Sequence, residues 1–141
     1  MKTTNVVVET AVARMAKKSI VLDFDGVLHS YTSKFRFPWV IPDPPVPGAM
    51  KFLQETAKHF TVRIYSTRSF NEKGLKAMEE WIKKHGVDEL GEDFLKTFKQ
   101  IKFPTSGKPK GHLYIDDRGY YFNGTFPTIE FLENFKPWNK E

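Results

Sequence analysis

The feature that most limits what this chain can fold into is the run Ile20-Val21-Leu22, which follows Lys17 and Lys18 and closes at Asp23-Phe24-Asp25-Gly26. Successive side chains of a strand point to opposite faces, so a strand apolar at every position is buried on both. Such a strand belongs near the centre of a parallel sheet covered by helices. The acid-glycine turn at its end leaves the sheet abruptly, because glycine lets the backbone reverse there.

The periodicity downstream agrees with that placement. After Pro47-Gly48, the apolar residues Met50, Leu53 and Ala57 fall at helical spacing and predict a helix to about His59. Residues 60–66 are β-branched and aromatic and predict a second strand. Leu75, Met78, Trp81 and Ile82 mark an amphipathic helix ending near His85-Gly86. Phe98, Gln100, Ile101 and Phe103 suggest a short strand, and Leu113-Tyr114-Ile115 a clearer one ending at Asp116-Asp117. Residues 120–122 could add another. Residues 128–135 predict a last helix with Ile129, Leu132 and Phe135 on one face.

This alternation predicts an α/β fold, a Rossmann-like three-layer α/β/α sandwich around a central, mostly parallel sheet. With 141 residues there is room for one core. The expected organisation is an N-terminal extension over residues 1–17 and a single catalytic domain over 18–141. No apolar run approaches the roughly 18 residues that cross a bilayer, and Val6-Val7-Val8 is too short for a secretory signal. A cytoplasmic protein with no membrane partner is the expectation.

The chain has no cysteine, which excludes thiolate nucleophiles, disulfides and cysteine-ligated metals. Chemistry must therefore run on oxygen and nitrogen groups. In open parallel sheets a ligand lies beyond the carboxyl ends of the strands. The polar residues collect there: Asp23 and Asp25, then Ser66 with Thr67 and Arg68, Lys108 in a loop, then Asp116 and Asp117. Asp23 and Asp25 are two apart, so in an extended chain both carboxylates point the same way, roughly 7 Å apart. One can attack while the other moves a proton.

Asp23-Phe24-Asp25-Gly26-Val27-Leu28 resembles the first motif of the haloacid dehalogenase superfamily, an Asp-x-Asp-Gly-Thr/Val sequence after a hydrophobic strand. Ile64-Tyr65-Ser66 resembles its second motif, Lys108-Pro109 its third and Tyr114-Ile115-Asp116-Asp117 its fourth, in the family's order. The likeness spans residues 19–135. It implies a phosphatase that cleaves phosphate monoesters through an aspartyl phosphate on Asp23. Asp25 is the implied general acid and base, which calls for a pKa near the working pH.

The resemblance further implies that Ser66 donates to the phosphoryl group and that Lys108 neutralises charge on Asp23 and the equatorial oxygens. Thr67 competes with Ser66 and Lys110 with Lys108. The implied cofactor is Mg2+, on the carboxylates of Asp23 and Asp116 and the main-chain carbonyl of Asp25, with Asp117 binding the metal or supporting it. Neither gap between motifs is long enough for a cap domain, which implies the capless branch.

Substrate-binding candidates are Ser66, Thr67, Lys108 and Arg68, with Arg118 beside the fourth motif. His29 lies close enough to the first motif to line the site. The loop carrying Tyr31, Lys34, Phe35, Arg36, Phe37 and Trp39 either packs itself down or stacks a base while its cations hold phosphate. A net charge of +5 favours an anionic partner, so the expected substrates are phosphorylated small molecules, nucleotides or nucleic-acid ends. A phosphotransferase of the same fold and a non-catalytic binding protein are the alternatives.

Overall fold

The computed structural model describes residues 17–140. The N-terminal extension assigned to residues 1–17 thus lies, apart from Lys17, outside the described residues. The elements are β1 (Ser19–Asp23), α1 (Ala49–Ala57), β2 (Thr61–Tyr65), a 3-10 turn (Thr67–Phe70), α2 (Glu72–Leu90), α3 (Phe94–Gln100), β3 (Leu113–Ile115) and α4 (Ile129–Asn134).

They form an α/β fold on an open, parallel, three-stranded sheet ordered β2-β1-β3, compatible with a Rossmann-like arrangement. The wholly apolar strand is central, as its sequence requires. Ile20 pairs with both Val62 and Leu113, so Asp23 leaves the sheet beside Tyr65 and level with the residue after Ile115. That register gathers Asp23, Ser66 and Asp116 at one edge.

The two faces of the sheet are unequally covered. Ile20, Leu22, Val62 and Ile64 belong to one core with Met50 and Leu53 of α1, Met78 and Ile82 of α2, and Phe94 of α3. Val21, pointing the other way, lies outside that core but is buried, with Gly111 approaching so closely that a Cβ there would strike its side chain. Helix α4 is capped by Thr128, whose Oγ1 accepts from the Phe131 amide at 3.0 Å, yet it buries no residue. Its expected apolar face is open, with Ile129 69% and Leu132 55% exposed. Helices α1, α2 and α3, which bury core residues, all join this one core.

Three local expectations are corrected. Helix α2 runs past Gly86 to Leu90 because Gly86 is a packing site and not a cap: the Phe94 ring lies where its Cβ would be. The helix ends instead at Gly91, whose φ is 82°. Residues 98–103 are mostly not a strand, since Phe94, Phe98 and Ile101 recur at helical spacing and the chain is helical to Gln100. Only Lys102 joins the sheet edge, donating to the Val62 carbonyl at 2.9 Å and accepting from the Ile64 amide at 2.9 Å. Residues 120–122 form no strand; Tyr121 is 86% exposed.

The long loop after β1 is held by its own pairing. The Gly26 amide donates to the His29 carbonyl at 2.8 Å, Ser30 to Pro44 at 3.0 Å and Val46 to Leu28 at 2.8 Å. The loop therefore returns along itself, and residues 31–43 form its outer bend.

Candidate active site

The site begins with Phe24, which anchors the turn after β1. Its ring is fully buried against the edge of Trp81 at 5.1 Å, while the carboxylates on either side of it remain accessible. The Phe24 amide donates to Asp23 Oδ1 at 2.8 Å, which fixes the orientation of that carboxylate. Gly26 follows with φ 82°, and a Cβ there would collide with the Asp117 carboxylate. This position needs glycine both for its backbone and for the approach of Asp117.

Asp23, Asp116 and Asp117 each offer a carboxylate oxygen within 4.8 Å of the others. Burial, the hydrogen bond with Asp117 and the Asp116 and Asp117 charges push the Asp23 carboxyl up from 3.8 to about 8, overcoming the downward pull of the Phe24 amide. Asp116 Oδ1 accepts from the amides of Arg118 at 2.6 Å and Gly119 at 3.1 Å, which fixes the orientation of that carboxylate. Three convergent carboxylates repel one another unless a proton or a cation lies among them, and all are hard oxygen donors. The cluster could hold a metal ion.

Asp25 is handled differently. Arg68 grips it with Nε at 2.9 Å from Oδ2 and Nη2 at 3.0 Å from Oδ1, and His29 Nδ1 lies 2.8 Å from Oδ1. His29 Nε2 accepts from the Asp43 amide at 3.1 Å, so the ring carries its proton on Nδ1 and donates it to Asp25. Burial raises the Asp25 carboxyl, but the His29 and Arg68 hydrogen bonds and the Arg68 charge outweigh it and hold the group below the ordinary carboxylate range. The pKa near the working pH expected for Asp25 is thus not what its surroundings produce.

Arg68 is also corrected. Its side chain is 1% exposed, and Nη1 donates to the carbonyls of Phe37, Pro38 and Val40 at 3.3, 2.7 and 3.1 Å. A guanidinium committed in this way cannot reach substrate. It fastens the outer loop to Asp25.

The remaining candidates surround one cavity of about 250 Å3, lined by Asp23, Asp25, Ser66, Thr67, Lys108, Asp116, Asp117 and Arg118 with Tyr31, Tyr65 and Tyr114 among its walls. Ser66 is buried at the end of β2, and its Oγ accepts from the Arg68 amide at 3.1 Å, leaving its proton for the cavity. Thr67 is exposed beside it. The Lys108 ammonium lies 4.5 Å from the centre of the Tyr114 ring, and the Tyr114 hydroxyl donates to the Pro109 carbonyl at 2.8 Å and accepts from the Gly111 amide at 2.9 Å. Tyr114 thereby positions the lysine loop. Lys110 does not line the cavity, and the Asp25 carboxylate lies outside the acidic cluster. No family model, curated protein or solved structure matches this chain.

Sequence reading missed the support from the far end of the chain. Trp138 Nε1 donates to the Gly26 carbonyl at 2.7 Å, Asn139 Nδ2 to Ser30 at 2.9 Å and Lys140 Nζ to Tyr31 at 2.7 Å. These bonds brace the turn behind Asp25, where Tyr31 adopts a φ of 55°. No local pattern marks residues that act across more than a hundred positions.

Two outcomes follow. Replacing Arg68 by Met leaves Asp25 without its cation and strips three carbonyls of a donor, so stability in urea should fall by about 3–5 kcal/mol. For Asp23, protonation favours the folded, metal-free protein: that contribution is complete below pH 3.8 and is lost as pH rises through about 8. Cation binding must displace the same proton. Magnesium chloride should therefore raise the melting temperature more as pH climbs from 6 to 8, levelling off above 8, and the Asp23→Asn variant should lack the rise.

Proposed function

We propose that this chain is a capless member of the haloacid dehalogenase superfamily and a Mg2+-dependent phosphohydrolase acting on phosphate monoesters. The observation that carries the reading is the meeting of Asp23, Asp25, Ser66, Lys108 and Asp116 around one cavity, from segments as much as 93 positions apart (116 − 23). The absence of any helix or strand between β1 and α1 supports the capless assignment. The three-layer sandwich belongs to this proposal as well.

In the reaction, an Asp23 oxygen bonds to phosphorus as the bond to the ester oxygen breaks, giving an aspartyl phosphate and an alkoxide or phenoxide that takes its proton from solvent. Ser66 donates to a phosphoryl oxygen, and Lys108 swings from Tyr114 to meet charge on the others. A magnesium ion, held by Asp23, Asp116 and the Asp25 carbonyl with Asp117 beside them, would neutralise phosphate charge and keep Asp23 ionised. Water then attacks phosphorus as the bond to Asp23 breaks; Asp25 accepts the water's proton and passes it to solvent, and phosphate leaves with Asp23 restored.

The ionised Asp25 suits that second step. It is a poor proton donor in the first, because Arg68 and His29 stabilise its anion. Esters whose leaving oxygen needs little protonation should therefore react best. With magnesium, aryl phosphates should release phosphate faster than alkyl phosphates, and Asp23→Asn should abolish both activities. Equal release by wild type and Asp23→Asn would reject the proposal.

A further inference from the structure

The outer loop presents two aromatic rings that do not hold it in place. Phe37 and Trp39 are 52% and 40% exposed and stack on each other, with centroids 5.1 Å apart and planes 9° from parallel. The loop is fastened through its backbone: Arg68 binds the carbonyls of Phe37, Pro38 and Val40, and the Val40 amide closes a turn on the Phe37 carbonyl at 3.0 Å. Pro38, between the two rings, lies so close to Gly74 in the first turn of α2 that a Cβ on that glycine would strike it. Rings that packed the loop down would be buried. These are carried outward by a bend that is already secured.

The two rings of the stack differ in their surroundings, and Phe37 is the more exposed of the pair. The Lys73 ammonium lies 4.6 Å from the centre of the Trp39 ring, which is also stacked on Phe37, while no cation is placed over the Phe37 ring among the described residues. Lys34 and Arg36 precede Phe37 in the same loop, are exposed, and form no ion pair among the described residues. Phe35 plays a different part, with its ring over the Arg68 guanidinium at 5.2 Å. The platform is tied to the cavity: one guanidinium separates the hydrogen bond at the Phe37 carbonyl from the bonds at the Asp25 carboxylate.

An exposed aromatic stack, cations in the same loop and a cavity linked to that loop through Arg68 match the parts of a nucleotide. Base stacking on aromatic side chains is tolerant of sequence, and nearby cations follow the sugar-phosphate chain. We propose that the Phe37–Trp39 pair stacks a nucleobase of the substrate whose terminal phosphate enters the Asp23 cavity. The proposal rests on the hydrolase reading for the fate of that phosphate. It makes the substrate a phosphorylated nucleotide, either free or at a nucleic-acid end.

The test separates the two readings. Fluorescence anisotropy on Asp23→Asn protein with magnesium would compare a labelled single-stranded pentadeoxynucleotide bearing a terminal phosphate with an abasic chain of equal length and charge. The base-bearing chain should bind more tightly. Phe37→Ala should weaken it by a factor of about 5 to 150 and erase the preference, while Phe37→Tyr keeps it. An unlabelled mononucleotide that competes as well as the pentamer assigns the site to free nucleotides; a weaker one assigns it to nucleic-acid ends.

Equal binding of base-bearing and abasic chains overturns the proposal, and this comparison needs no ring substitution should Phe37→Ala fail to fold. Phosphate release by wild type would be measured alongside. Release from glycerol phosphate with no base preference in binding sinks the platform and leaves the hydrolase. Base-dependent binding with no release from any ester supports the platform and sinks the hydrolase.

Discussion

The Arg68–Asp25 ion pair is the contact on which the rest of the site depends. A guanidinium that is 1% exposed is tolerable only when its charge and donors are satisfied, and here one carboxylate and three carbonyls satisfy them. The pair joins the turn after β1, the outer loop and the 3-10 turn after β2. It therefore fixes where Asp25 points, where Ser66 sits and how the aromatic loop leaves the body of the protein. His29 completes the arrangement by donating to Asp25 and accepting from Asp43, which in turn receives the Ser33 amide at 2.8 Å.

Around this fixed anion the other carboxylates are deliberately unlike it. Asp25 has its counter-charge within the protein and stays ionised. Asp23 is surrounded by Asp116 and Asp117 and retains a proton. Two aspartates two residues apart are thus driven in opposite directions, the usual way for like groups to take unlike tasks. The buried central strand imposes the spacing, and Gly26 lets Asp117 come close enough to complete the cluster.

The sheet and the gathering of polar groups were legible in the chain because they rest on short-range rules. Ile20-Val21-Leu22 had to be central, and the acids and Ser66 had to leave strands at the same edge. What escaped prediction depends on distant partners. Arg68 resembles a surface residue until the carbonyls of Phe37, Pro38 and Val40 surround it. Gly86 looks like a helix end until Phe94 packs on it, and Trp138 reaches Gly26 across 112 positions. Helix α4 illustrates the converse: its apolar period is correct, but periodicity alone does not supply a surface to pack against.

On the proposed mechanism Asp23 holds the phosphoryl group during turnover, and that group can be trapped there. Wild-type protein would be mixed with a phosphate ester radiolabelled at phosphorus, quenched in acid during turnover, digested and sequenced. The expected result is a hydroxylamine-sensitive label on Asp23 and none on the Asp23→Asn protein. Turnover that leaves the label on another residue, or leaves no labelled carboxylate at any time point, would contradict it.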